Sequence, residues 1–256
     1  MHIGLLLNDI MGIAAPRSVI WSAAYSIDLF VEVYDWDRVV LDSAASIPLS
    51  RQINLCAGIY PCSISLIGPG SIRLMESGAI SCLANTGCVA LSIFSLQFAC
   101  ESERSLTTVL SIESSDLLIY NSSFFACYTD SDGGIVQSLG NSSVEIESSI
   151  FTNISSYGSG GAISAVGGIV TISSSQFINC SSLTGGGAIS ASAFSCAGAF
   201  SNKIIGTIFD IEECKFIACS SEEQGGAIQV TGESVSMNVA GSEFLECASK
   251  TTGGAL

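Results

Sequence analysis

Positive charge is the scarcest feature of this 256-residue chain. Eight Lys and Arg stand against 23 Asp and Glu, for a formal net charge of -15, and no Lys or Arg falls between Arg104 and Lys203. Proteins that read nucleic-acid phosphates depend on clustered cations, so that class is excluded. The single histidine, His2, rules out a Cys/His zinc cluster, and the 11 cysteines contain no CxxC pair. No phosphate-binding loop, Ser/His/Asp set or haem motif occurs, and no cofactor or metal is expected. The apolar patch at residues 3–7 has no basic residue ahead of it and is interrupted by Asn8 and Asp9, which makes a poor secretory signal. The uncharged stretch 79–100 is long enough for a bilayer, yet Asn85, Thr86, Gly87 and Gln97 fall inside it. It is read as strands, and no membrane span is expected.

Charge of either sign is low, 12% of residues, while hydrophobic residues make up 48% and mean hydropathy is +0.55. Such a chain is too apolar for disorder and must pack. Its length suits one large domain or two small ones. The 26 Gly and 45 Ser indicate a surface solvated by hydroxyls more than by ions.

An internal repeat decides the fold class. Four segments align: FTNISSYGSGGAI from Phe151, FINCSSLTGGGAI from Phe177, FIACSSEEQGGAI from Phe216 and FLECASKTTGGAL from Phe244. In each, paired glycines stand nine and ten residues after the Phe: Gly160 and Gly161, Gly186 and Gly187, Gly225 and Gly226, Gly253 and Gly254. Phe124 extends the series with Gly133 and Gly134, and Phe98 begins a copy in which Thr107 and Thr108 replace the glycines. The six Phe are spaced 26, 27, 26, 39 and 28 residues apart. Seven and five positions before each Phe lie apolar pairs, from Leu91 and Ile93 to Met237 and Val239, and a separation of two is the strand period. Each copy therefore reads as an alternating strand, a Ser-rich corner, a Phe strand, a polar turn and a Gly-Gly-Ala-Ile strand. This is one coil of an all-β, parallel solenoid, with about six regular coils and one or two irregular ones at 53–80.

Stacking coils aligns like residues in ladders. The Phe residues should stack, and the glycines should occupy a corner that needs positive φ or close backbone approach. Three positions after each Phe stand Cys127, Ile154, Cys180, Cys219 and Cys247. These form either an interior thiol ladder or inter-coil disulfides such as Cys180–Cys219. The surplus between Phe177 and Phe216, near 190–202, should loop out with Phe194, Cys196 and Phe200, as local packing or as a partner contact. Residues 1–50 show no coil pattern and are read as an irregular segment or cap, although 31–41 could form strands. The sequence stops at Gly253-Gly254-Ala255-Leu256, inside a coil, which leads to the expectation of a C-terminally truncated array over 51–256.

Residues 91–256, with Phe followed nine or ten residues later by Gly-Gly-Ala-Ile or Gly-Gly-Ala-Leu, resemble the repeat of the chlamydial polymorphic outer membrane proteins. The match is closest at Gly160, Gly186, Gly225 and Gly253. The family's Asn, fourth in its Phe motif, is here Cys or Ile, with Asn153 and Asn179 one place early. The resemblance implies a right-handed parallel β-helix of the pectin-lyase-like kind, displayed at the cell surface or secreted (in a bacterium, at the outer membrane) and acting in adhesion. The partner would be a host or cell-surface protein or a glycan. The leading expectation is a non-catalytic adhesion or interaction scaffold. The alternative is a polysaccharide-active enzyme or a carbohydrate-binding protein, for which Asp130 and Asp132 are the best acidic pair, although they also read as turn residues. Asn121, Asn141, Asn153 and Asn179 are candidate glycosylation sites in a eukaryotic secretory pathway.

Overall fold

A computed structural model describes residues 18–21, 38–41, 46–49, 52–54, 62–74, 79–83, 88–100, 107–193 and 206–256. Every strand among them is parallel to its neighbours, and the strands build four sheets of nine, eight, five and seven members. Six regular turns begin at Cys88–Phe94, Asp116–Tyr120, Ser143–Glu147, Gly168–Ser173, Thr207–Glu212 and Val235–Ala240, successive strands of the nine-stranded entry sheet. The four turns from Asp116 to Ile228 then pass through the eight-stranded Phe sheet, a five-stranded sheet of two-residue strands, and the seven-stranded glycine sheet. The result is a parallel β-solenoid, consistent with the expected right-handed β-helix.

The register is the one the repeat requires. Leu91 aligns with Leu117, Val144, Val170, Phe209 and Met237, and Ile93 with Ile119, Ile146, Ile172, Ile211 and Val239. The Phe column runs from Phe98 to Phe244 with ring centroids 4.8–5.0 Å apart and planes within 15° of parallel. That spacing is the inter-strand distance of a β-sheet, so the backbone sets the ring separation. Phe98, Phe124, Phe151, Phe177 and Phe216 are fully buried, and Ile72 continues the column below them. Each ring removes about 150–250 Å² from water, worth up to about 4–6 kcal/mol per rung.

The corner between the entry and Phe sheets explains much of the serine content. Its first residue has positive φ in every regular turn: Ser95, Asn121, Ser148, Ser174, Glu213 and Gly241. The next residue is a buried serine in three of the six turns, Ser122, Ser149 and Ser175. The Ser149 hydroxyl donates to Glu147 O and accepts from Ser122 N, while Ser175 donates to Ser173 O and accepts from Ser149 N. Each hydroxyl thus satisfies a backbone N–H of the preceding coil that no ladder carbonyl reaches. Cys214 fills the same place: its thiol donates to Glu212 O, accepts from Ser175 N, and is pushed up in pKa by burial. Ser149→Ala would strand the Ser122 N–H, and we expect a loss of about 1–3 kcal/mol in urea denaturation, with Ser149→Cys losing less.

The irregular end pairs further upstream than residue 51. Ser18–Trp21 and Arg38–Leu41 join the entry sheet, and Ser46–Leu49 pairs with Ser71–Leu74 in the Phe sheet. Arg38–Leu41 lies at the end of the segment expected to form strands. The stretch 79–100 forms strands Ala79–Leu83, Cys88–Phe94 and Gln97–Cys100, as anticipated. Between Ile189–Ser192 and Thr207–Glu212 the two chain ends meet, because the Thr207 hydroxyl donates to Ser192 O. Phe194, Cys196 and Phe200 lie outside the described residues.

Candidate interaction face

Interior ladders account for the repeat's strongest residues, which leaves the outward-facing positions as candidates for function. In the three-residue Phe strands the middle side chain points inward, so the residue after each Phe faces out. Phe125, Thr152, Ile178, Ile217 and Leu245 occupy that position on five consecutive rungs. They form an outer column that is apolar but for the Thr152 hydroxyl. The first four are partly buried by one another and by the corners, Leu245 is 49% exposed, and Ile150 beside the column is 40% exposed. Lys215 and Glu243 flank it as an exposed ion pair at 3.2 Å, of small energetic worth.

The next corner carries a second ladder of positive-φ residues: Ala126, Asn153, Asn179, Ala218 and Glu246. This locates the two early Asn of the repeat. Asn tolerates the left-handed conformation better than other side chains, so it serves the corner, and the interior place after it goes to Ile154 or Cys. Both Asn are exposed, and Asn179 Nδ2 donates to Asn153 Oδ1 at 3.2 Å. Beyond them Tyr128, Ser155, Ser181, Ser220 and Ala248 align outward in the short sheet, with Ser155 and Ser181 hydroxyls 2.7 Å apart. Tyr128 and Tyr157 meet edge to face at 5.3 Å. The face is therefore an apolar strip bordered by amides, hydroxyls and two tyrosines. It offers contact area and hydrogen bonds.

The remaining candidate residues are placed as follows. Asn121 and Asn141 are exposed at other corners, and Asn121 Nδ2 donates to Ser95 Oγ. Asp130 and Asp132 are exposed in the turn before the glycine corner, where Asp132 Oδ1 accepts from Ser159 N at 2.7 Å and so braces the next coil. Among the described residues no group of three or more His, Cys, Asp or Glu is arranged to hold a metal ion, and no helix is long and apolar enough to cross a membrane.

The first glycine of each pair, including Gly133, Gly160, Gly186, Gly225 and Gly253, has positive φ. The second has ordinary φ but lies against the next coil, since a Cβ on Gly161 would sit 1.9 Å from Gly187 O. Among the described residues two disulfides are present, Cys82–Cys88 and Cys100–Cys127, whereas Cys180, Cys214, Cys219 and Cys247 are free thiols. The anticipated interior thiol ladder is thus present at Cys180, Cys219 and Cys247. Cys100 stands two places after its Phe, not three, and spacing alone did not assign it to Cys127. The outer column had a sequence signal too, the Ile or Leu after Phe in FIN, FIA and FLE. Interior and exterior positions cannot be ranked for function by period alone.

No family model matches the chain, and no curated protein and no solved structure matches it.

Proposed function

We propose that this chain is a non-catalytic β-helix module of a secreted or cell-surface protein, acting in adhesion or as an interaction scaffold through the outer face of its Phe sheet. The observation that carries the reading is the column Phe125–Thr152–Ile178–Ile217–Leu245, held on five rungs of a sheet whose inner face is fully packed. Outward-facing apolar strips bordered by polar groups are characteristic of contact surfaces. Two disulfides suit an oxidising compartment and support the extracellular placement. The likeness to chlamydial polymorphic outer membrane protein repeats supports the same reading, with a host or cell-surface protein or glycan as partner.

The test is binding of purified protein to host cells and extracellular matrix, against a β-solenoid without the strip. The double substitution Ile178→Asp with Ile217→Asp should lower binding at least about tenfold, equivalent to about 1.4 kcal/mol, with the far-ultraviolet circular dichroism unchanged. Binding no better than the control solenoid refutes the proposal, and binding that survives the double substitution moves the contact to another face.

A further inference from the structure

Cys180, Cys219 and Cys247 occupy one interior slot on three consecutive coils. Their register is fixed on both sides, by Ile178, Ile217 and Leu245 before them and by Ser181, Ser220 and Ala248 after them. Each thiol donates to the carbonyl two residues before it, Cys180 to Ile178 O, Cys219 to Ile217 O and Cys247 to Leu245 O. Each also points back to the Phe carbonyl of the preceding coil, with Cys219 Sγ 3.5 Å from Phe177 O and Cys247 Sγ 3.4 Å from Phe216 O. Two coils below Cys180 the same region already carries a covalent link between neighbouring coils. Cys100 and Cys127 are joined with Cα atoms 5.0 Å apart across a sequence separation of 27, and stacked Cys219 and Cys247 are separated by 28. Parallel strands place stacked Cα atoms at about 4.8 Å, inside the 4.4–6.8 Å range that a disulfide spans.

We propose that Cys219 and Cys247 are the site of a second inter-coil disulfide, closed by a low-molecular-weight disulfide that enters at Cys247. Of the three thiols, Cys247 is half-buried and Cys180 and Cys219 are buried, which selects the point of entry. With oxidised glutathione, the Cys247 thiolate attacks one reagent sulfur. The reagent S–S bond breaks, a mixed disulfide forms on Cys247, and one glutathione thiolate leaves and takes up a proton. The Cys219 thiolate then attacks the Cys247 sulfur and expels the second glutathione. Two protein thiols lose two protons and two electrons, and one glutathione disulfide becomes two glutathione thiols.

The stacking of the thiols sets the pace. The Cys180 thiol beside it pushes the Cys219 thiol up to about 12, and Cys219 pushes Cys247 up as well. Both stay protonated at neutral pH. Only the thiolate attacks, so the rate should rise close to tenfold per pH unit from 7 through 9, where an ordinary exposed thiol of pKa near 8.5 is already levelling off.

The folded 256-residue chain is incubated with oxidised glutathione, quenched with N-ethylmaleimide and mapped by mass spectrometry without reduction. The expected product is a Cys219–Cys247 linked peptide, formed with the steep pH dependence, while buried Cys214 stays reduced. The link should still form in Cys180→Ser and be absent in Cys247→Ser, in which Cys219 remains a thiol. A mixed disulfide at Cys247 that never resolves, a Cys180–Cys219 link, or a Cys219–Cys247 link that forms only after denaturation overturns the proposal. The Cys180→Ser arm and the unmutated map decide the matter even if Cys247→Ser fails to fold.

Discussion

Replacing Gly187 by Val should cost more than about 4 kcal/mol, a loss beyond the usual range for single substitutions. The reason lies in the coil above. A Cβ at Gly187 would stand 2.1 Å from Gly226 O and 2.5 Å from both the N and the O of Ser220. All three are backbone atoms within the hydrogen-bonded stack, since Gly187 N itself donates to Gly225 O. No rotamer change relieves such a clash, so the coils must separate locally and give up their ladder bonds. Exposure is irrelevant to this cost because the conflict is internal. Gly254 is the built-in control. It stands at the same place in the repeat, and a Cβ there meets nothing nearer than Cys247 O at 3.6 Å. Urea denaturation followed by circular dichroism should show Gly187→Ala severely destabilised and Gly254→Ala near wild type. Equal effects would mean that the glycine pair serves chain flexibility and not the approach of coils.

Phe177→Ala is expected to lose about 3–5 kcal/mol, the range for a large aromatic removed from a packed core. Phe177 is fully buried between Phe151 and Phe216, with centroids 4.8 and 5.0 Å away. Its removal leaves a gap that neighbours fixed to their own strands cannot close. Phe244 has one stacking partner, Phe216, and is partly buried, so Phe244→Ala should lose less than half as much. A double-mutant cycle between Phe151 and Phe177 isolates the ring–ring part, expected at about 0.5–1.5 kcal/mol. Equal losses at the two sites would show that area burial against the coil interior, and not the column, supplies the stability.

These two ladders were legible because each is tied to a period. A Phe every 26–28 residues, with one interval of 39, and a Gly pair nine residues later can be aligned without knowing any backbone angle. The serine corner was legible as a place in the repeat but not in its chemistry. Its two roles, a left-handed residue followed by a hydroxyl shared between coils, depend on φ at Ser148 and on the position of the Ser122 N–H. The early Asn153 and Asn179 looked like a shifted motif for the same reason. The place of the strands before residue 50 in the stack was missed, although strands were expected at 31–41, because their pairing has no constant interval: Ser18 pairs with Arg38, and Arg38 with Ser65, separations of 20 and 27. The outer column was present in the aligned letters, but interior and exterior apolar residues look alike until the face of each strand is known.

One junction has an architectural implication. Strand Ile189–Ser192 and strand Thr207–Glu212 meet at one edge, where the Thr207 hydroxyl bonds both to Ser192 O and to Gly167 N. The rungs on either side keep their alignment, Ser190 with Gln229 and Val170 with Phe209. Closing a longer connection between fixed ends grows costlier only with the logarithm of its length. This edge therefore works as a splice port, at which sequence can be exchanged or enlarged while the spool beneath it remains indexed to the same rungs.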